Sequence, residues 1–232
     1  MSQITLYRAN LTCSWVPHAL LRHLSIPFKS VPMRPENNQS PITSHYEAAD
    51  GSFTYEEYRK NVHPMGYVPS LVVDGEVITE QLAVLTMIAQ LAPDREAGEA
   101  ILGKAPLEHV RVIEWIVWLS GTLQAAGFAA FWRQNRYADQ HEEAYPAIKE
   151  KGRKVIESSF ERINEQLRGR QYAVGDALTI VDINLYVFWV WGAHIEIPML
   201  ERFPAYADVM RRVTALPGIR AAAEEEGLPL YF

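Results

Sequence analysis

The sequence predicts an α/β domain followed by an all-α domain, and three observations divide it so. Short apolar runs bounded by turn residues recur through the first part of the chain, ending with YVPSLVVDGEVITE at 67–80. Strand signals stop after about residue 106. Beyond that point apolar residues recur at spacings of three and four, as in helices packed into a bundle. The expected units are residues 1–92, in the order βαβ then ββα, a linker at 93–105, and a helical domain at 106–232.

Each element has its own reason. ITLYRA (4–9) is short, mostly apolar and followed by polar residues, hence a buried strand and a turn. Residues 15–24 read as a helix, with Pro17 tolerated in the first turn, where its missing N–H has no acceptor anyway. IPFKSVPM (26–33) is a second strand, placed at an edge because Pro32 cannot donate to a ladder. Residues 34–54, with NNQSP and ADGS, form a long polar connection, expected to be a lid or mobile loop beside the site. In 67–80 two apolar runs flank Asp74-Gly75, a two-residue hairpin signal. QLAVLTMIAQLA (81–92) then has helical spacing.

In the second half, 107–133 is one long apolar-rich helix with a stripe of Leu107, Val110, Ile113 and Val117. A further helix spans 145–167, where Ile156, Phe160, Ile163 and Leu167 are spaced 4, 3 and 4. ALTIVDINLYVFWVW (177–191) opens with Thr179 as N-cap and Asp182 three residues on, a capping-box pattern. It then turns apolar nearly all round, as a buried helix must be. Two last helices fall at about 203–215 and 217–226, each with a proline (Pro204, Pro217) suited to a first turn.

Composition excludes several roles. The chain has 232 residues, 48% hydrophobic and 22% charged, with a net charge of -6. That balance gives no basic footprint for nucleic acid. The single cysteine, Cys13, forbids an internal disulfide and fits a reducing compartment. MSQITLYRAN reaches polar residues too soon for a signal-peptide core, and no apolar run approaches the roughly 18 residues that span a bilayer. A cytoplasmic protein with no nucleic-acid or membrane partner is expected. No metal is expected either: the histidines lie apart, and His18 and His23, five residues apart, do not share a helix face. GRQYAVGD (169–176) is a turn rather than a phosphate cradle, and no G-x-S-x-G elbow is present.

The chemistry concentrates near LTCSWVPHALLRHL (11–24), where the only thiol sits at the start of a helix between Thr12 and Ser14. A thiol there either packs as a small hydrophobe or is activated by the helix N-terminus. The wider pattern resembles the cytosolic glutathione transferases. HPMGYVPSL (63–71) looks like their N-P-x-G-x-V-P-x-L segment, with His63 for the usual Asn. TEQLAV is similar to E-S-x-A-I, VGDALTIVDINL to the helical domain's G-D-x-x-[ST]-x-A-D motif. LYRANLTCSWVPHAL resembles the bacterial beta-class start L-Y-Y-A-P-G-A-C-S-L-S-P-H-x-A-L without a gap.

The resemblance implies a thioredoxin-like first domain and specific roles. Pro69 would be cis, Val68 would pair its backbone with the cysteinyl part of glutathione, and Glu80 and Gln81 would hold the γ-glutamyl end. Gln81 stands where that family has a serine, so the pocket is reshaped or the affinity lower. Cys13 aligns with the beta-class active-site cysteine, Thr12 with the serine of hydroxyl-using classes, and Ser14 is a third candidate. Tyr7 falls too early for a catalytic tyrosine. The histidine that beta-class enzymes aim at the cysteine is replaced by Ala125, next to Gln124. Trp15, Phe128 and Trp132, with Gln124, would line the co-substrate pocket; Trp118 and Tyr137 are further aromatic candidates.

The implied function is conjugation of glutathione to a small apolar electrophile, or thiol exchange with it, with glutathione as substrate and a homodimer as the assembly. Two alternatives stand beside it: a GST-like interaction protein without catalysis, and a zeta-type glutathione-dependent isomerase, suggested by the C-S-W triplet.

Overall fold

The computed structural model describes residues 2–36 and 45–232. The first domain is a five-stranded sheet in the order β3-β2-β1-β4-β5. β1 (Ile4–Ala9) lies beside β2 (Lys29–Pro35) in parallel and β4 (Ser70–Val73) in antiparallel fashion. β4 turns into β5 (Glu76–Ile78) through Asp74 and Gly75, both at positive φ (51° and 93°), as a tight hairpin with a primed turn requires. α1 (Trp15–His23) connects β1 to β2, and α3 (Gln81–Gln90) closes the domain.

Several short elements were not legible in the sequence. Residues 34–54 hold a short strand, β3 (Tyr46–Ala48), which pairs antiparallel with β2. β2 is therefore interior, not an edge. Its proline is tolerated because β3 pairs only with Met33, Arg34 and Pro35, while the Pro32 carbonyl accepts from Ala49 N–H at 2.9 Å. α2 (Tyr55–Asn61) follows, opened by a capping box in which Thr54 and Glu57 satisfy each other's backbone N–H. The expected lid falls partly on residues 37–44, which lie outside the described residues. The expected linker also carries a helix, α4 (Arg95–Ala100), capped by the Asp94 carboxylate.

The second domain begins with α5 (Pro106–Trp118), continues through a π-helical stretch (Leu119–Ala129) and ends in α6 (Ala130–Trp132). Among the described residues, Pro106–Trp132 is the one helix long and apolar enough to cross a membrane by length and composition alone. Its apolar residues form two stripes. Val112, Trp115, Ile116, Leu119 and Leu123 enter the core, while Leu107 (66% exposed), Val110 (58%), Ile113 and Val117 face outward. α7 (Tyr145–Leu167) lies against the π stretch and α6, where Gly152 has no room for a Cβ: it would stand 2.8 Å from the Gly127 carbonyl oxygen. α8 (Ile180–His194) is the central buried helix, and α9 (Met199–Arg202), α10 (Pro204–Ala215) and α11 (Pro217–Glu226) complete the bundle.

α1 is held from both sides. It packs on α8 and α11, and His18 reaches from its buried face to two carboxylates of α11. Its Nδ1 lies 2.7 Å from Glu226 and its Nε2 3.0 Å from Glu225. Arg8 on β1 adds a third partner, 3.5 Å from Glu226. The N-terminal end of α1 is thereby fixed against the helical domain.

Candidate active site at the start of the first helix

Four residues separate β1 from the cap of α1 at Ser14, and the hydroxyls of Thr12 and Ser14 are fully engaged. Thr12 Oγ1 donates to the Ala9 carbonyl at 2.8 Å and lies 2.7 Å from Ser14 Oγ. The Ser14 hydroxyl lies 3.1 Å from that same carbonyl and accepts from Ala9 N–H at 2.9 Å. Ser14 N–H in turn donates to Thr12 Oγ1 at 3.2 Å. Two hydroxyl hydrogens thus serve bonds that set the turn, and Ser14 is fully buried. The Cys13 side chain is the one of the three that takes no part in these bonds, and it is half-buried.

Cys13 Sγ lies 3.7 Å from the Val68 carbonyl and 3.8 Å from Gln124 Nε2, the amide donating to sulfur. Burial pushes the thiol above its ordinary value, while the Gln124 amide, the Arg133 guanidinium and the Cys13 backbone N–H act against that rise. Gln124 sits on the π-helical stretch, where the wider turn re-aims side chains relative to an α-helix.

The segment facing the thiol is HPMGYVPSL. Its Val68–Pro69 bond is cis. Tyr58 from α2 braces it, its hydroxyl lying 2.7 Å from the Tyr67 carbonyl and 2.9 Å from Ser70 Oγ. His63 closes the preceding turn by accepting Met65 N–H on Nδ1 at 3.1 Å, a task that requires a neutral ring. Burial lowers its pKa, in keeping with that state, although Glu80 acts the other way. Gly66 in this turn has φ of 69° and lies so close to the Tyr55 ring that a Cβ would stand 2.2 Å from Cε2. Only glycine fits.

At the other flank, Glu80 has φ of 65° and caps α3 from outside the helix. The N–H groups of Gln81, Leu82 and Ala83 then have no acceptor within the helix, which suits an anion. The Gln81 side chain turns away from that end: its amide donates to the Cys13 carbonyl at 3.5 Å and to Asn184 Oδ1 at 3.2 Å. Asn184 is buried on α8, and its Nδ2 has no partner among the described residues. The polar break it makes in an apolar helix was its only signal in the sequence.

Cys13, Val68, Pro69, Gln81 and Gln124 therefore meet, with Glu80 at the rim. Two of the expected pocket residues do not join them. Trp15 is fully buried between α1 and α8, its ring 5.5 Å from Tyr186, so it packs the domain interface. Phe128 is equally buried among Phe160, Phe188 and Trp191. Trp118 lies under the Arg162 guanidinium, at 4.6 Å, as a packing residue. Trp132 is half-buried, its ring 5.4 Å from that of Trp191. Trp191 donates to the Leu11 carbonyl at 2.9 Å, tying α8 to the turn before Cys13. The sequence reading missed Tyr67, Arg133 and Arg136. Arg136 stacks on Tyr67 at 5.2 Å and donates to its hydroxyl at 2.8 Å, which clamps the second domain to the segment before Pro69.

A cysteine at a helix start, a cis-proline strand facing it and a free helix N-terminus at the side form the thiol-handling end of a thioredoxin-like fold. Residues 122–217 match the family described as glutathione S-transferase, C-terminal domain. The helical half of the chain is therefore similar to the C-terminal domain of glutathione S-transferases. The chain's curated relatives include glutathione S-transferase GstA of Escherichia coli O157:H7, 28% identical over 72% of this chain and 77% of that one. Glutathione S-transferase GST-4.5 of Xanthomonas campestris pv. campestris is 26% identical over 96% of this chain and 98% of its own. Among solved structures, a bacterial beta-class glutathione S-transferase of Sphingomonas chungbukensis superposes with a TM-score of 0.77 at 24% identity, covering 97% of this chain and all (100%) of that one. The chain thus shares the fold of that structure over nearly its whole length.

Proposed function

We propose that the chain is a glutathione transferase that binds glutathione along Val68, with its sulfur beside Cys13, and passes it to a small electrophile or exchanges thiols with it. The observation that carries this reading is the meeting of Cys13 Sγ with the Val68 carbonyl, next to the cis Val68–Pro69 bond. A β-edge at Val68 offers an N–H and a carbonyl to a peptide-like ligand. The open N-terminus of α3 offers its N–H groups to the γ-glutamyl carboxylate, with Glu80 positioned for the α-amino group. Because the Gln81 amide is turned toward Cys13 and Asn184, its backbone N–H rather than its side chain takes the place of the usual serine contact.

Of the three residues at 12–14, Cys13 is the one with a side chain free to meet a ligand sulfur, while Thr12 and Ser14 shape the turn. Conjugation and exchange separate by assay. Turnover of a mixed disulfide of glutathione with no turnover of an aryl halide assigns thiol exchange, and the converse assigns conjugation. Failure of both, with glutathione bound, favours an interaction protein. Isomerisation of a cis-configured dicarboxylic enone would favour the zeta-type reading. A lone cysteine supports a reducing compartment such as the cytoplasm.

The assembly follows from the same reading. Leu107, Val110, Ile113 and Val117 form an exposed apolar stripe on α5, and the first domain exposes Met65 and Val77. In the homodimer the stripe of one protomer meets the first domain of the other. Light scattering is expected to give twice the 26.4 kDa chain mass at micromolar concentration, and Val110→Glu to give the monomer. A wild-type monomer would refute the dimer.

A further inference from the structure

The turn that carries Cys13 belongs to the first domain, yet two of its backbone carbonyls are held from α8 in the second. Trp191 Nε1 donates to the Leu11 carbonyl at 2.9 Å. The Gln81 amide donates to the Cys13 carbonyl at 3.5 Å and, with its other hydrogen, to Asn184 Oδ1 at 3.2 Å. Between these two points the Thr12 carbonyl accepts Trp15 N–H at 3.1 Å and closes the turn on itself. Asn184 and Trp191 are two helical turns apart and therefore lie on one face of α8. Cys13 Sγ meanwhile keeps its own two partners, the Val68 carbonyl and the Gln124 amide.

Both anchors bear on strained ground. Asn184 is buried in a helix that is apolar nearly all round, and its Nδ2 has no partner among the described residues. A leucine there would pack without stranding a donor, so stability does not account for the amide. Leu11 stands at φ of 60°, where its Cβ crowds the carbonyl oxygen that follows. Its side chain is 47% exposed, so packing does little to hold that conformation, whereas the Trp191 bond to its carbonyl does. Strain of this kind persists where the surroundings over-determine a site.

Gln81 ties the anchors to the ligand. In the proposed complex its backbone N–H receives the γ-glutamyl carboxylate, while its side chain holds the Cys13 carbonyl. One residue thus sets glutathione in register with the thiol.

We propose that Asn184 and Trp191 are positioning residues for the Cys13 thiol. They fix the two carbonyls that bracket its turn, Asn184 through Gln81, and so hold the sulfur at the Val68 edge. The inference rests on the glutathione transferase reading and adds two residues of the helical domain to that same site. In exchange, the Cys13 thiolate attacks the glutathione sulfur of a mixed disulfide, the S–S bond breaks, and the other sulfur leaves with the electron pair. A second glutathione thiolate then attacks the Cys13 disulfide, which releases oxidised glutathione and regenerates the Cys13 thiolate. The proton given up by that second glutathione goes, through solvent, to the thiolate that left first. Both displacements need their sulfurs in line, so a displaced turn lowers the rate more than it lowers binding.

The test uses the full-length protein and the variants Asn184→Leu, Gln81→Met and Trp191→Phe, each of which removes a hydrogen bond and leaves an apolar side chain in its place. Each is expected to lower kcat for exchange, or for conjugation where wild type conjugates, by about 10-fold or more, with the glutathione Kd from calorimetry within about threefold of wild type. Cys13, the only cysteine, also reports on itself through alkylation by iodoacetamide. A loosened turn admits water to a thiol whose pKa burial had raised, so alkylation at pH 7 should quicken by about fivefold or more and its rise with pH should move down. Leu11→Asn suits a left-handed turn and should restore part of the rate in Trp191→Phe, a rescue that packing alone does not predict. Unchanged kcat in all three variants would overturn the proposal. So would weaker glutathione binding with kcat retained, no rescue by Leu11→Asn, or a gain in alkylation that only matches the loss of global stability in urea. Wild type that binds no glutathione sinks the transferase reading instead, and the alkylation comparison still judges the anchors.

Discussion

Cys13→Ala is expected to abolish thiol exchange with glutathione mixed disulfides, by about 1000-fold or more, while glutathione still binds. Exchange requires a thiolate that attacks one sulfur and is later attacked in turn, so no residue at positions 12 or 14 can substitute. The hydroxyls of Thr12 and Ser14 are spent within the turn, on each other and on Ala9. Ser14→Ala should therefore act mainly on stability. It leaves the buried Ala9 N–H without its acceptor, a loss of roughly 1–3 kcal/mol. The pH profile adds a second check. Burial holds the Cys13 thiol above its ordinary value, so the exchange rate should keep rising with pH through the range where a free thiol has already ionised. Gln124→Leu removes a hydrogen bond that favours the thiolate and should shift that rise further up. Full activity of Cys13→Ala in both exchange and conjugation, with loss in Thr12→Ala, would reduce Cys13 to packing.

The largest stability effect is expected at Asp182. Its Oδ1 accepts Ala173 N–H at 2.7 Å, and its Oδ2 accepts Thr179 N–H at 2.8 Å and the Thr179 hydroxyl at 2.9 Å. One carboxylate thus caps α8 and pins the turn before it. Asp182→Ala strands three buried donors and should cost roughly 3 kcal/mol or more, about 10 °C in Tm for a chain of this size. The pH dependence has a definite sign. Burial outweighs the three donors and pushes Asp182 up to about 6, from an unfolded value near 3.8. The folded state then holds this proton more tightly than the unfolded chain. The stability from this group is fullest below the unfolded value and declines as pH rises toward about 6. Melting wild type and Asp182→Asn across that window should show the decline in wild type and its absence in the variant. Parallel curves would refute the assignment.

What was legible in the sequence was local. Asp74-Gly75 needs only its own turn geometry, and Thr179 with Asp182 only a helix start. Both appear as expected. β3 and α2 escaped because three strand residues show no periodicity, and because YEEYRKN buries only Tyr55 and Tyr58. The long helix misled in a different way. It carries two apolar stripes, and helical spacing alone cannot say which one meets the chain's own core. The outward stripe, Leu107 to Val117, was the one that the spacing picked out. Beyond Trp118 the π-helical turns change the phase, so a residue's face no longer follows from 3.6 per turn. Phe128 thereby ends in the core while Gln124 faces the thiol. Arg133 was silent in the sequence, since an arginine at a helix end is ordinarily a solvated charge.

The central claim is that glutathione lies along Val68 with its sulfur at Cys13. A crystal structure of the protein grown with glutathione tests it most directly. The account predicts two backbone hydrogen bonds between the cysteinyl unit and Val68, the γ-glutamyl carboxylate on the N–H groups that open α3, and the glutathione sulfur nearer to Cys13 Sγ than to either neighbouring hydroxyl. Glutathione bound elsewhere, or its sulfur resting against Thr12 with Cys13 turned away, would contradict it.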